Sequence, residues 1–325
     1  MVTTFTALLL AAVWCADPAV SWKHPESEAN GWAGTCRTGS EQSPIDIPTG
    51  DKSSTTPVNY EPLVFVNYGN LVSYNLTNNG HTAVLTAQNS CNVYLTGGGL
   101  RKLYKLEQMH FHWGSEHLVG GYRYPLELHF VHYDAKFESL QDAVGKNSSL
   151  AVLAVLFRPD KSDQPNKELA QVVSGLRAVV EPGKQAALAA RLGPGSLLPP
   201  DTERWWRYAG SLTTPGCDQG VTWTVFKDTL PLGRDQVKEF QKLTQPAGAA
   251  GAAGAAGTEY ILKNFRAPQP LKQRALLYQD PGQHAKCGAA SSPASRGVVG
   301  AVLLIAVLRL LQVGPVDYLL NGRLL

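Results

Sequence analysis

The chain has 325 residues, of which 44% are hydrophobic and 17% are charged, and its formal net charge at pH 7 is +3. This apolar content is enough for a sizeable buried core, which excludes an intrinsically disordered chain. The small net charge and the lack of a long Lys/Arg run in the sequence argue against a nucleic-acid-binding function.

The N-terminus carries an apolar run that is too short to span a bilayer and that ends in small residues before Asp17. We therefore interpret residues 1–16 as a cleaved signal peptide, which directs the chain into the secretory pathway. Export would also make two sequons, which begin at Asn75 and Asn147, available for N-glycosylation.

The cysteines fit an exported protein. Cys15 would leave with the signal peptide, so four cysteines stay in a compartment that permits disulfides: Cys36, Cys91, Cys217 and Cys287. Their positions alone allow three pairings.

Residues 44–157 read as a series of short strands separated by Asn, Gly and Asp turn signals. The predicted strands cover residues 63–66, 71–75, 82–85, 105–113, 126–133 and 150–157. Helical spacing of apolar residues is rare, and predicts helices only within 166–179 and 233–243. We therefore expect a β-rich domain decorated by a few helices.

A low-complexity segment of Pro, Ala and Gly occupies residues 246–257, and its composition predicts a flexible surface loop. No linker divides the region from about residue 22 to residue 277. We predict that residues 22–277 form one domain.

The C-terminus combines a spacer of small residues with an apolar tail. Residues 278–297 contain the small-residue stretch that starts at Cys287, and residues 298–325 begin with a hydrophobic run. This order is typical of a glycolipid (GPI) anchor signal. The alternative is a transmembrane helix, but Arg309 and Gln312 interrupt the run before the roughly 20 apolar residues that a span requires. Either reading predicts membrane attachment through the C-terminus.

A group of histidines carries the strongest chemical signal. On a strand, residues two apart point to the same face, so His110 and His112 lie side by side. His129 lies on another predicted strand, and neighbouring strands are about 4.8 Å apart, which brings a third imidazole within reach of the same ion. Three neutral imidazoles suit Zn²⁺ and leave a fourth position open. Spacing alone does not exclude an ordinary half-buried histidine pair.

The alternation of side chains also selects two partners for these histidines. Gln108 lies on the same face as His110, and Glu127 on the same face as His129, so each can accept an imidazole N–H. His132 falls on the opposite face, where we expect a structural role.

Six segments resemble the α-carbonic anhydrase family in order and spacing: residues 42–47 (Gln-Ser-Pro-Ile-Asp-Ile), 79–81 (Asn-Gly-His), 108–114 (Gln-Met-His-Phe-His-Trp-Gly), 127–132 (Glu-Leu-His-Phe-Val-His), 211–215 (Ser-Leu-Thr-Thr-Pro) and 264–271 (Asn-Phe-Arg-Ala-Pro-Gln-Pro-Leu). The resemblance covers about residues 22–277. It implies a mainly β (α+β) single domain with a large, twisted, mostly antiparallel central sheet, a few peripheral helices, and zinc at the bottom of a conical cleft.

The resemblance also implies an enzyme that hydrates carbon dioxide reversibly to bicarbonate and a proton, with zinc-bound hydroxide as nucleophile. In that mechanism Thr213 accepts a hydrogen bond from the hydroxide and donates one to Glu116, while Thr214 contacts bicarbonate or a second water. His81 corresponds to the proton shuttle, which works best close to the ordinary histidine pKa of about 6.5.

Further positions follow from the same resemblance. The backbone of Asn264 is expected to orient His112, and the carbon dioxide wall is expected to consist of Val131, Val152, Leu212, Val221 and Trp223. Cys36 and Cys217 resemble the disulfide pair of secreted and membrane-linked members. Together with the C-terminal tail, this pair predicts a secreted protein or one on the outer face of the plasma membrane.

The sequence departs from the family pattern in three places. Several residues that usually separate Ser115 from Glu116 are missing, and a displaced Glu116 would deprive Thr213 of its acceptor. His24 stands where members often carry a tyrosine, and is expected to alter the water network beside His81. Cys91 and Cys287 have no family counterpart, so their pairing stays open.

Parts of the sequence also suit two other classes of function. The first is an extracellular carbonic-anhydrase-like binding or adhesion domain with little turnover, which the shortened loop and unusual tail would suit. The second is a zinc-dependent esterase with a different substrate, which is disfavoured because no separate pocket motif is visible. The complete set of three histidines, glutamate and threonine favours the enzyme.

Overall fold

β-strands dominate the computed structural model, which describes residue 24 and residues 32–50, 55–247 and 257–282. The strands are β1 (Asp46–Ile47), β2 (Thr56–Val58), β3 (Leu63–Val66), β4 (Tyr74–Asn78), β5 (Ala83–Ala87), β6 (Tyr94–Gly97), β7 (Leu100–Trp113), β8 (Leu118–Val119), β9 (Tyr122–Arg123), β10 (Leu126–Asp134), β11 (Leu150–Pro159), β12 (Gln185–Ala187), β13 (Trp205–Ser211), β14 (Gln219–Phe226), β15 (Leu230–Leu232), β16 (Thr244–Pro246), β17 (Thr258–Tyr260) and β18 (Leu277–Gln279). The α-helices are α1 (Thr35–Thr38), α2 (Leu140–Ala143), α3 (Ala170–Gly175) and α4 (Arg234–Phe240), and 3₁₀ turns cover Leu176–Ala178 and Pro194–Leu197.

Thirteen of these strands form one large sheet. Its main path runs β12-β4-β5-β7-β10-β11-β14-β13-β18-β2, with β15 beside β11, and β6 joining β3 to β7. Three pairings are parallel, namely β11 with β14, β11 with β15 and β18 with β2, and the others are antiparallel. The predicted fold class is confirmed: a mainly β domain with a large, mostly antiparallel sheet and few helices.

The centre of the sheet is buried on both faces. Every residue of β10 is buried, as are the first eight of β11, because apolar clusters cover both sides. One cluster includes Met109, Phe111 and Leu128, and the other includes Val152 and Trp223. The histidines predicted to bind metal therefore lie on rigid, well-packed strands.

The predicted strands agree with the structure to different degrees. The strand at 63–66 has the predicted bounds, and those at 126–133 and 150–157 differ by one or two residues. The strand predicted at 71–75 begins only at Tyr74, because Leu71 is 65% exposed and Val72 makes an isolated bridge. The sequence pattern predicts no strand after residue 157, yet β13 and β14 lie there. Buried polar residues such as Arg207 and Thr224 interrupt their apolar pattern.

Both predicted helices are present but shorter than expected. Within 166–179 the α-helix begins at Ala170, because the side-chain oxygen of Asn166 accepts the N–H groups of Glu168 and Leu169 and forms a turn there. Within 233–243 the helix is α4, Arg234–Phe240.

The predicted disulfide between Cys36 and Cys217 is present, with 4.9 Å between the Cα atoms. It joins the segment before the 42–47 motif to the loop that follows Thr213. Cys91 is a free, buried thiol.

Several sequence predictions lie outside the described residues. They concern the signal peptide at 1–16, Cys287 in the spacer, the tail at 298–325 and most of the Ala/Gly-rich segment. The Ala/Gly-rich segment connects β16 and β17, which pair antiparallel. Within the described ranges, no helix is long and apolar enough to cross a membrane.

Candidate metal centre

Antiparallel pairing of β7 with β10 gathers the three predicted ligands. His110 and His112 lie on β7, and the register places His129 of β10 directly opposite His110. One ring nitrogen from each histidine lies within 4.8 Å of the other two. The arrangement is the one predicted from the period of two along a strand.

Each of the three rings has one nitrogen held by a fixed acceptor. The bonds are His110 Nδ1 to Gln108 Oε1 at 2.9 Å, His112 Nδ1 to the Asn264 carbonyl oxygen at 2.5 Å, and His129 Nε2 to Glu127 Oε1 at 2.7 Å. Because these oxygens only accept, the bonded nitrogens carry the protons, and the other nitrogen of each ring keeps its lone pair.

The other nitrogens of the three rings converge. Nε2 of His110 lies 3.2 Å from Nδ1 of His129, and Nε2 of His112 is buried with no hydrogen-bond partner. Tetrahedral ligands at a Zn–N distance of about 2.0–2.1 Å are themselves about 3.3 Å apart, so the donor set fits zinc. Burial also lowers the pKa of both His110 and His129, which favours the neutral form that binds metal.

A second group of possible ligands, which includes His117, lies behind the first. Nδ1 of His117 bonds Oε1 of Glu127 at 2.6 Å, its backbone N–H donates to Oε2 at 2.8 Å, and its Nε2 lies 2.7 Å from the hydroxyl of Tyr208. Burial alone would raise the pKa of Glu127, but His117 and His129 outweigh it and hold that pKa well below its usual value. Both ring nitrogens of His117 are therefore hydrogen-bonded, and its contacts hold the Glu127 carboxylate next to His129. His117 is not among the residues predicted from the sequence, where its only signal is its position directly after Glu116.

A cleft opens beside the histidines with a cavity of about 90 Å³. Its lining includes His24, Asn79, His81, Glu107, Gln108 and Thr214. His81 follows a turn in which Oδ1 of Asn79 accepts the N–H groups of His81 and Thr82. Burial lowers the pKa of His81 to about 4, which is well below the ordinary histidine value expected of a proton shuttle.

Glu116 and Thr213 are both buried, but the expected hydrogen bond between them is absent from the described part of the chain. Oε1 of Glu116 accepts the backbone N–H of Arg266 at 2.8 Å. Oε2 makes no hydrogen bond and lies 3.5 Å from Nε2 of His112. The carboxylate is thus directed toward the metal-site histidine.

The five predicted wall residues are all buried in one apolar cluster: Val131, Val152, Leu212, Val221 and Trp223. Strand register aligns Val131, Val152 and Trp223 across β10, β11 and β14. The Trp223 ring packs against that of His129, with 4.8 Å between centroids. These side chains supply an apolar wall next to the histidines.

The two sequons occupy different surroundings. Asn75 lies half-buried on β4, where its Oδ1 accepts a hydrogen bond from Gln88. Asn147 is exposed in the turn before β11.

A family model described as eukaryotic-type carbonic anhydrase matches residues 24–280. The chain belongs to this family. Among curated relatives, carbonic anhydrase 1 of Oryctolagus cuniculus is 36% identical over 245 residues, which are 73% of this chain and 98% of the relative. Carbonic anhydrase 15 of Mus musculus is 34% identical over 282 residues, or 82% of this chain and 83% of the relative. Carbonic anhydrase 1 of Mus musculus is 37% identical over 246 residues, or 73% and 89%.

These matches identify the chain as an enzyme of the carbonic anhydrase class, and carbon dioxide hydration is the activity that the family supports. The family is zinc-dependent, and the three-histidine cluster is compatible with that cofactor.

Proposed function

We propose that this carbonic anhydrase hydrates carbon dioxide at a zinc site formed by His110, His112 and His129. The observation that carries the proposal is the convergence of three imidazole nitrogens, of which Nε2 of His112 is buried without a partner. A zinc ion held there would lower the pKa of a bound water to about 7, the value known for carbonic anhydrases, and so supply a nucleophile at neutral pH.

Hydrogen-bond acceptors behind the ligands fix the tautomer and orientation of each ring. Gln108, the Asn264 carbonyl and Glu127 take this role for His110, His112 and His129. Such acceptors also raise the basicity of a ligand and so strengthen metal binding.

The apolar wall and the two threonines are proposed to contact substrate in different ways. Carbon dioxide carries no charge, so Val131, Val152 and Trp223 can hold it while they exclude water from the histidines. The hydroxyls of Thr213 and Thr214 both donate and accept, and are proposed to orient oxygen atoms of substrate and product. Glu116 is proposed to polarise this network from beside His112.

His81 is proposed to accept the product proton at a ring nitrogen and to release it to solvent. With a pKa of about 4 it is a weak base at pH 7, so proton transfer to it is unfavourable in this conformation. We therefore propose that soluble buffer carries part of the proton flux.

The proposal extends to the location of the enzyme. A signal peptide at 1–16, glycosylation at Asn75 and Asn147, and C-terminal membrane attachment would place the domain outside the cell. The Cys36–Cys217 disulfide supports an oxidising compartment.

The metal requirement is tested by removing zinc with a chelator and adding it back. We expect carbon dioxide hydration to disappear and to return with zinc bound at one site per chain. Activity that persists after complete zinc removal, or zinc uptake that is unchanged in His112→Ala, would contradict the proposal.

A further inference from the structure

Strand β7 contains an irregularity where it borders the cleft. Tyr104 and Leu106 face the first core cluster, but the next residues to do so are Met109 and Phe111, so the interval is three instead of two. The pairing with β10 changes at the same point, because Leu106 pairs with His132 and Gln108 with Val131, which leaves Glu107 out of the ladder. One extra residue in a strand is a β-bulge, and bulges redirect side chains.

An acidic side chain lies in the cleft beside the bulge. At the bulge two consecutive residues, Glu107 and Gln108, both line the cavity that holds His81 and His110. Glu107 is half-buried, and it is the only carboxylate among the residues that line this cavity in the described ranges. No described side chain forms an ion pair with it, although Lys105 is near enough to affect its pKa.

We propose that Glu107 is a specificity-determining residue that weakens the binding of small anions, including bicarbonate, relative to neutral carbon dioxide. The inference rests on the proposed function, because the anions concerned are those that reach the three-histidine site. Glu107 repels an anion at this site through space and does not contact it.

The expected size of the effect follows from distance. Glu107 lies three residues before His110 on β7, so their backbone separation is at most about 10 Å. Over about 10 Å, one unit charge changes the binding constant of another about two- to tenfold, depending on the effective dielectric constant. Burial raises the pKa of Glu107, and the positive charge of Lys105 partly offsets this shift. The repulsion is therefore present above the pKa of Glu107 and is lost as the pH falls through it.

The test is a calorimetric titration of the zinc-loaded protein with thiocyanate at low ionic strength. The variants are Glu107→Gln, which removes the charge at nearly constant shape, and Glu107→Asp, which keeps it. Glu168→Gln is the matched control, because Glu168 is exposed and does not line the cleft. We expect Glu107→Gln to bind thiocyanate about two- to tenfold more tightly, and the other two variants to match the wild type. The difference should shrink as a non-coordinating salt is added.

Three results would overturn the inference: equal dissociation constants in wild type and Glu107→Gln, an equal shift in Glu168→Gln, or no thiocyanate binding by either wild type or Glu107→Gln. Carbon dioxide hydration is measured on the same samples. If thiocyanate binds but carbon dioxide is not hydrated, the proposed function fails and the comparison of variants still judges Glu107. If carbon dioxide is hydrated but wild type and Glu107→Gln have equal thiocyanate dissociation constants, only the proposed role of Glu107 is wrong.

Discussion

The histidines of this chain differ in which ring nitrogen already has a partner. His117 and His132 are both buried, and both of their ring nitrogens are hydrogen-bonded. His112 leaves one nitrogen without a partner, next to nitrogens of His110 and His129 that face each other. Burying an unpaired polar atom costs about 1–3 kcal/mol, which bound zinc would offset.

Glu127 is the acceptor whose loss should weaken zinc binding most, because it holds both His129 and His117. We expect Glu127→Ala to raise the zinc dissociation constant about 10- to 100-fold, as measured by competition with a chelator. Glu138→Ala is the control, because Glu138 is exposed. Wild-type zinc affinity in Glu127→Ala would show that the ligand is oriented in some other way.

His132 should make stability depend on pH. Burial lowers its pKa from 6.5 to about 4, so between these values the unfolded state binds a proton that the folded state does not. The free energy of unfolding therefore decreases as the pH falls from 6.5 to 4, by about 3 kcal/mol from this group. Above pH 6.5 the full contribution is present.

The contribution of His132 to the pH dependence of stability can be isolated by urea unfolding of metal-free protein between pH 4 and 7. Compared with wild type, His132→Asn should be less stable at pH 7, because bonds to Tyr68 and Ala151 are lost, but should show a shallower pH dependence. Parallel pH profiles would mean that His132 keeps its ordinary pKa.

At the scale of elements, the disulfide is the main covalent constraint on the site. It closes a loop of 181 residues and fixes the segment next to Thr213 and Thr214. Reduction, or a Cys36→Ala/Cys217→Ala double variant, should lower the free energy of unfolding by about 2–5 kcal/mol in urea titrations. Reduction of a Cys91→Ala variant provides the control for the free thiol. An unchanged transition midpoint would contradict a stabilising role.

How far the sequence predicts these elements depends on whether the signal is local. Alternation along β7 and β10 was enough to bring His110, His112 and His129 together, and to pair Gln108 and Glu127 with them. The bulge at Glu107 was not predicted, because only the pairing with β10 reveals that one residue is extra. The role of His117 depends likewise on Tyr208 and Glu127, which are distant in sequence.

The side-chain direction of Glu116 is also not predictable from local sequence. The family resemblance implies that Glu116 accepts a hydrogen bond from Thr213, but its carboxylate instead accepts the N–H of Arg266, 150 residues away, and faces His112. Side-chain direction after a shortened loop depends on such long-range partners, which spacing does not encode.

For the whole molecule, attachment to a membrane is a separate prediction from catalysis. If the C-terminal signal is exchanged for a glycolipid, phosphatidylinositol-specific phospholipase C should release active enzyme from intact cells. Activity that stays on the cells while a known lipid-anchored protein is released would favour the transmembrane alternative. Activity found only in the medium would indicate a secreted enzyme.

Stopped-flow carbon dioxide hydration with zinc-loaded wild type, His129→Ala and His132→Asn tests whether the three-histidine site is catalytic. His132 is the matched control, because it is a buried histidine on the same strand whose side chain faces the other core. We predict rapid hydration by wild type and His132→Asn, and loss of both zinc and activity in His129→Ala. Zinc-loaded wild type without hydration, or undiminished hydration in His129→Ala, would contradict the account.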